Sequence, residues 1–147
     1  MIMNIGRKHL PHEVPPEISS SPELEVFFIT ICCLPRGVNQ LACENAWQVI
    51  DETLRHREAL GEIQVGMALA MPDHLHGLFS FPGGEMGKRI SSMKEWVAKK
   101  AEVRWQRDFF DHRIRSWESG AEKAEYIRMN PVRAGLVAQT EDWPFQR

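Results

Sequence analysis

Residues 63–81 read IQVGMALAMPDHLHGLFSF, which is the pattern of a β-hairpin. The first half, Ile63–Ala70, is apolar apart from Gln64. Such a run is typical of a strand buried on both faces and predicts a central position in a sheet. Pro72-Asp73 supplies the turn, because both residue types favour turn geometry. The second half, His74–Phe81, predicts the returning strand.

The segments on both sides of this hairpin extend it into an α+β fold. They predict a strand at Leu24–Cys33 and a helix at Leu41–Leu60 before the hairpin, and after it a helix at Glu85–Arg104, a strand at Phe109–Arg115, a third helix from Ser116 or Glu118 to Met129 and a short turn at Pro131–Gly135. The order β-α-β-β-α-β is that of a ferredoxin-like fold. We therefore expect an antiparallel sheet of four to five strands, helices mainly on one face, and a C-terminal helix added to this unit.

The length and composition indicate one globular domain. Of the 147 residues, 43% are hydrophobic and 26% are charged, which is ordinary for such a domain. We assign residues 22–147 to it and expect residues 1–21, with three prolines and no apolar signal core, to form a flexible arm. No apolar run approaches the roughly 20 residues of a membrane helix. Three cysteines without a CxxC spacing, Cys32, Cys33 and Cys43, favour a reduced, cytoplasmic chain without a zinc cage.

The charges are distributed unevenly along the chain. Residues 1–85 carry 5 Lys/Arg against 11 Asp/Glu, whereas residues 86–147 carry 13 against 9, within a formal net charge of −2. A basic C-terminal part on an acidic body allows a local surface that binds phosphates. The alternative interpretation is that the two halves differ by chance, and charge alone leaves both open.

The pair His74 and His76 is a candidate metal site. Side chains alternate across a strand, so both imidazoles are expected on one face of the sheet. Imidazole suits a borderline ion such as Mn²⁺ and also serves Mg²⁺ when oxygen ligands complete the shell. A closed zinc site is not expected, because no cluster of Cys or carboxylate residues lies nearby. The alternative is two half-buried histidines that hydrogen-bond to backbone or water.

The chain contains a single tyrosine, Tyr126, and Asn130 follows it by four residues. On a helix these two residues share a face. A phenol can attack phosphorus when a divalent cation polarises the phosphodiester, and an amide oxygen can serve as a further metal ligand. The alternatives are that Tyr126 is an amphipathic core residue with a hydrated hydroxyl and that Asn130 caps a turn beginning at Pro131.

Two sets of cationic residues are candidates for contact with a nucleic acid. The first lies on the flank of the helix at 85–104, where Trp96 would provide a stacking platform, and comprises Lys88, Arg89, Lys99 and Lys100. Its alternative is a solvated helix face with a partly buried tryptophan. The second set flanks the tyrosine and could neutralise phosphates; it comprises Arg113, Arg115, Arg128 and Arg133. His112 either approaches the site or pairs with Asp111.

Four motifs taken together resemble those of the single-tyrosine HUH transposases, with the REP-associated tyrosine transposases as the nearest branch. The motifs are MPDHLH at 71–76, FFDHRIR at 109–115, YIRMNPVRAGLV at 126–137 and DWP at 142–144. The resemblance extends from about Leu24 to Phe145, and the joint order of the motifs is more specific than any one of them. The chain departs from the family at Pro72-Asp73, where members usually have Pro-Asn, and in its slightly acidic net charge, where members are often basic.

The resemblance implies a ferredoxin-like HUH domain that acts on single-stranded DNA, with a hairpin as the expected partner. It implies that His74, His76 and Asn130 hold Mg²⁺ or Mn²⁺. Tyr126 would become linked to a 5′ phosphate and leave a free 3′-OH. Since the family contains monomers and homodimers, either state is expected. Two rivals stay open: a nucleic-acid-binding module that has lost the chemistry, and a metal-dependent hydrolase of another phosphodiester.

Overall fold

The computed structural model describes residues 25–147, so the predicted arm at residues 1–21 lies outside the described residues. The helices and strands follow the predicted order: β1 Phe27–Cys32, α1 Glu44–Ala59, β2 Gln64–Met71, β3 His74–Ser80, α2 Met86–Ala101, β4 Phe110–Arg113 and α3 Trp117–Arg133, with a short 3-10 turn at Thr140–Asp142. The sheet has four strands in the order β2-β3-β1-β4, and all neighbouring strands are antiparallel. The predicted ferredoxin-like α+β fold is confirmed.

The prediction that Ile63–Ala70 is a central strand is wrong, because β2 lies at the edge of the sheet. Its free edge is covered by the last residues of the chain. The Ala68 N–H donates to the Arg147 carbonyl at 2.8 Å, and the Ala70 N–H donates to the Phe145 carbonyl at 2.9 Å. Both faces of β2 are nevertheless buried, since Ala68 packs in one hydrophobic cluster and Leu69 in another. The apolar run therefore reflects the burial of both faces of β2 and does not indicate a central position in the sheet.

The prediction of a separate turn at Pro131–Gly135 is also wrong for its first half. Helix α3 continues through Pro131 to Arg133, and Asn130 lies inside the helix instead of capping a new one. Pro131 removes a backbone donor, yet it is fully buried, and this burial offsets the lost hydrogen bond. The helix ends where Gly135, with φ of 75°, donates to the Val132 carbonyl.

Helices α1 and α2 pack on one face of the sheet, and α3 crosses the other. The larger cluster contains Ile50 of α1, Ile90 of α2 and Phe79 of the sheet. The apolar stripe of α2 faces this cluster: Met86, Ile90, Met93 and Val97 are buried, and Ala101 is partly buried. The smaller cluster joins Ile127 of α3 to Met67, Leu69, Met71, Leu78 and Trp143. One face of the sheet is thus filled by the core, while the other is only partly covered.

Candidate active site

The two histidines of β3 lie side by side on the face crossed by α3. Their ring centroids are 4.7 Å apart, and the rings meet edge to face. His76 is 6% exposed, and His74 is only slightly more accessible. The next residue, Gly77, has no room for a side chain, because the ring of Phe79 covers its backbone. A Cβ at Gly77 would lie 2.2 Å from the Phe79 ring. The predicted shared face of His74 and His76 is therefore present.

One nitrogen of each imidazole is held by a neighbouring side chain. His76 Nδ1 lies 3.0 Å from Thr30 Oγ1, and His74 Nδ1 lies 2.9 Å from Asp73 Oδ1. Thr30 reaches His76 because these two residues are opposite each other in the β1–β3 register. Such contacts fix ring orientation and leave Nε2 of each ring for another partner.

The electrostatic surroundings keep both imidazoles neutral. Burial, the neighbouring His74 and the positive charge of Arg133 together lower the pKa of His76 to about 3, with burial as the largest cause. Burial also lowers the pKa of His74, although the hydrogen bond that His74 donates to Asp73 acts in the opposite direction. Only a neutral imidazole can coordinate a cation. The pair is thus in the protonation state that metal coordination requires at neutral pH.

Asp73 anchors the turn beneath this pair. Burial would raise its pKa, but hydrogen bonds from the Arg36 guanidinium, from His74 and from the Gly37 backbone bring the pKa well below its ordinary value. Arg36 Nε donates to Asp73 Oδ2 at 2.9 Å, and the Gly37 N–H donates to the same oxygen at 2.8 Å. The sequence identified Asp73 as a turn residue and as a carboxylate in place of the family's asparagine. Thr30 and Arg36 were missed, because only the tertiary structure brings Thr30 to His76 and Arg36 to Asp73.

Tyr126 lies on α3 directly over this face. The centroid of its ring is 6.3 Å from that of His76 and 6.1 Å from that of Phe28. The Arg133 guanidinium stacks on the Tyr126 ring at 4.4 Å and also donates to the Tyr126 carbonyl at 2.6 Å. The tyrosine is 49% exposed. The structure thus brings an accessible phenol and the two imidazoles together within one chain.

Asn130 lies between Tyr126 and Arg133 on the same stripe of α3, at helical spacings of four and three. Its Nδ2 atom is buried and finds no hydrogen-bond partner among residues 25–147. Since the nitrogen and oxygen of an amide are nearly indistinguishable by shape, the uncompensated atom can equally be the oxygen, a metal ligand. Over the same residues no group of three His, Cys, Asp or Glu is placed to hold a metal ion. Metal binding by His74, His76 and Asn130 therefore stays a prediction.

The other cations predicted near the tyrosine have different surroundings. Arg113 is buried in an ion pair with Glu25, and Arg128 is paired with Glu125 at 2.7 Å. Arg115 is half-buried, and its charge contributes to the lowered pKa of His112, behind burial and Lys123. The guanidinium of Arg133, the fourth predicted arginine, touches the Tyr126 ring.

The cationic set on α2 lies away from the tyrosine, because α2 packs on the opposite face of the sheet. Lys88 pairs with Glu85 and Arg89 with Glu62, each at 3.5 Å. Lys100 lies 4.7 Å above the exposed ring of Trp96, and Lys99 is exposed. The structure does not bring this set together with Tyr126, and its contact with DNA stays a prediction.

The chain is similar to curated REP-associated tyrosine transposases. That of Escherichia coli K12 is 29% identical over a region covering 56% of this chain and 52% of the relative. A Haemophilus influenzae Rd protein provisionally given the same name is 31% identical, over 51% of this chain and 53% of the relative. The chain spans about half the length of these relatives. No protein-family model matches the chain.

Solved structures share the fold. A REP-associated tyrosine transposase bound to a REP hairpin superposes with a TM-score of 0.73 and 24% identity, covering 83% of this chain and 75% of that one. A protein from Deinococcus radiodurans R1, provisionally assigned as a transposase, gives 0.50 and 16%, covering 71% and 88%. Together with the curated relatives, they confirm the resemblance drawn from the four motifs. Among residues 25–147, the helices are too short or too polar to cross a membrane.

Proposed function

We propose that this relative of the REP-associated tyrosine transposases cleaves and rejoins single-stranded DNA through Tyr126. The observation that carries the proposal is the contact of the Tyr126 ring with His76, 6.3 Å between centroids, over a pair of neutral imidazoles. A purely structural tyrosine needs neither that partner nor 49% exposure. Both halves of the site belong to one chain, so the chemistry requires no second copy.

Hairpin DNA is the proposed substrate. The solved relative with a TM-score of 0.73 is bound to a REP hairpin. Here the nucleophile is exposed on a partly covered sheet face, where a flexible single strand can reach it. In this proposal the protein recognises the hairpin and cleaves an unpaired segment beside it.

The residues fit a divalent cation, Mg²⁺ or Mn²⁺. His74 and His76 would offer the Nε2 atoms that Asp73 and Thr30 leave available, and Asn130 would offer its buried amide. When bound, such an ion supplies Lewis acidity that polarises the phosphodiester. With only three protein ligands, the substrate phosphate would complete the shell.

The phenol oxygen of Tyr126 attacks phosphorus, and the bond from phosphorus to the 3′ oxygen breaks. The products are a 5′-phosphotyrosine and a free 3′-OH, with the phenol proton passing through solvent to the leaving oxygen. The guanidinium of Arg133, stacked on the ring at 4.4 Å, orients the phenol and places a positive charge beside the phosphate. A 3′-OH can reverse the step, because the phosphotyrosine retains the reactivity of the cleaved bond.

The experiment is an adduct assay with hairpin oligonucleotides that carry random unpaired arms, incubated with Mn²⁺ and separated on denaturing gels. We expect a covalent protein–DNA adduct from the wild type and none from Tyr126→Phe. Trp117→Phe is the matched control, because Trp117 is an exposed aromatic residue at the far end of the same helix.

Each alternative outcome has a distinct meaning. DNA binding without an adduct from the wild type would support a binding module without chemistry. Cleaved DNA without an adduct would indicate a hydrolase that uses water. Cleavage retained by Tyr126→Phe would overturn the role of this residue.

A further inference from the structure

Two cations on the face crossed by α3 lie on aromatic rings instead of pairing with carboxylates, as Lys100 also does on α2. Arg113, Arg128, Lys88 and Arg89 form ion pairs with glutamates. Lys123 instead lies 5.6 Å above the ring of Phe28, as Arg133 lies above Tyr126. The ion pairs among residues 25–147 do not include Lys123. An aromatic ring leaves the net charge of a cation uncompensated, so Lys123 stays available to an anion.

His112 adds a second group to this surface. It lies on β4 opposite Phe28 in the β1–β4 register, and therefore on the same face of the sheet as the ring beneath Lys123. The side chain is exposed. Burial lowers its pKa, followed by the positive charges of Lys123 and Arg115. An imidazole N–H beside an ammonium group is a suitable donor pair for one phosphate.

The spacing along α3 relates this surface to the nucleophile. Lys123 precedes Tyr126 by three residues, about 4.5 Å along the helix axis. Nucleotides in a stacked strand are separated by a comparable rise, about 3.4 Å. Both side chains approach the ring of Phe28, Tyr126 from one side and Lys123 from above. A strand that runs along α3 with its reacting phosphate at Tyr126 would therefore place a neighbouring phosphate within reach of Lys123.

We propose that Lys123 and His112 bind the DNA phosphate adjacent to the one that Tyr126 attacks, so that the cleaved strand runs along α3 from Arg133 towards β4. This inference rests on the proposed function. Lys123 and His112 act as binding residues, and they position the strand without touching the reacting atoms. The cation–π contact of Lys123 is exchanged for a phosphate when DNA binds, because a charge-assisted hydrogen bond is the stronger interaction.

The first test measures binding without metal, in a Tyr126→Phe background, to a hairpin with random unpaired arms at several salt concentrations. Lys123→Gln is expected to weaken binding three- to tenfold and to reduce the slope of log K against log salt by about 0.7, the value for one phosphate contact on a single strand. Arg55→Gln is the matched control, since it removes an exposed charge from α1 on the opposite face. An unchanged slope for Lys123→Gln would overturn the proposal.

The second test locates the contact on an oligonucleotide that forms the adduct, by replacing one phosphate at a time with a neutral methylphosphonate. We expect one adjacent position at which the replacement weakens binding by the wild type but not by Lys123→Gln or His112→Gln. Additive losses at every position would overturn the assignment. If no adduct forms but Lys123→Gln still reduces the salt slope of binding, the proposed function is wrong and the phosphate contact of Lys123 stands. If the adduct forms but the salt slope does not change, only the phosphate contact is wrong.

Discussion

The two faces of the sheet differ in what their buried groups do. On the face of α1 and α2, aliphatic and aromatic side chains fill the space, and the neighbouring cations Lys88 and Arg89 are paired with glutamates. On the face of α3, two imidazoles and an amide are largely buried and have polar atoms that are not used in hydrogen bonds. Lys123 and Arg133 lie on aromatic rings of this face. The face of α1 and α2 is filled by an apolar core, whereas the face of α3 carries the polar groups that we propose for a ligand.

The residues that form the main core and the residues proposed for the reaction lie on opposite faces of the same sheet. β3 contributes to both, because its odd positions Leu75, Gly77 and Phe79 face the core and its even positions carry the histidines. A change on one face should therefore alter folding with little effect on the reaction, and a change on the other should do the reverse. The following predictions test that separation.

The largest effect is expected from removing both imidazoles. The double variant His74→Ala, His76→Ala should form no adduct with Mn²⁺, because two of the three metal ligands are lost. Binding of hairpin DNA in EDTA should persist, which serves as the control for folding. Adduct formation at the wild-type rate by this variant would remove the metal from the proposal.

On the opposite face, Ile90→Ala should lower the free energy of unfolding by about 2–5 kcal/mol, since this side chain is completely buried between α2 and the sheet. Urea denaturation measures the change, and Ser91→Ala on the exposed side of the same helix is the control. The fraction of Ile90→Ala that remains folded should form the adduct at the normal rate. A slower rate per folded molecule would show that the two faces are coupled.

Asp73→Asn should have an intermediate effect on the α3 face. Asparagine retains an acceptor for His74 but loses the negative charge that Arg36 and Gly37 hold in place. We expect Mn²⁺ affinity, measured by calorimetry, to fall about 10- to 100-fold, the range found when a group that orients a metal ligand is replaced. Asp51→Asn, which removes a carboxylate from α1, is the control. Equal affinities of the two variants would mean that Asp73 has only a role in the turn.

The smallest effect is expected from the cations of α2. Replacing Lys88, Lys99 and Lys100 with glutamine should leave the adduct rate at saturating DNA unchanged, because these residues lie on the face opposite Tyr126. If DNA reaches that face, the salt slope of binding should fall by about 0.7 for each lost contact. An unchanged slope would exclude α2 from the DNA interface, and a slower adduct rate would contradict the separation of the faces.

Periodicity and motif spacing predicted most of the architecture. Side chains two residues apart on a strand share a face, so His74 and His76 lie together independently of the remaining chain. Residues four apart on a helix also share a face, which places Asn130 beside Tyr126. The edge position of β2 was not accessible in this way, because an apolar run looks the same when a C-terminal segment covers the edge. The continuation of α3 through Pro131 was likewise missed, since local preference at Asn130 opposes it and tertiary burial outweighs that preference.

The identity and order of the chemical groups follow from the sequence: two imidazoles on a strand, a phenol and an amide on a helix, and a basic C-terminal half. Which of these groups meet depends on the tertiary contacts. Strand pairing brings Thr30 to His76, the packing of α3 brings Tyr126 over the pair, and the packing of α2 carries Trp96 and its lysines to the other side. Chemical identity is local to each residue, whereas proximity depends on contacts between residues distant in sequence, which local patterns do not encode.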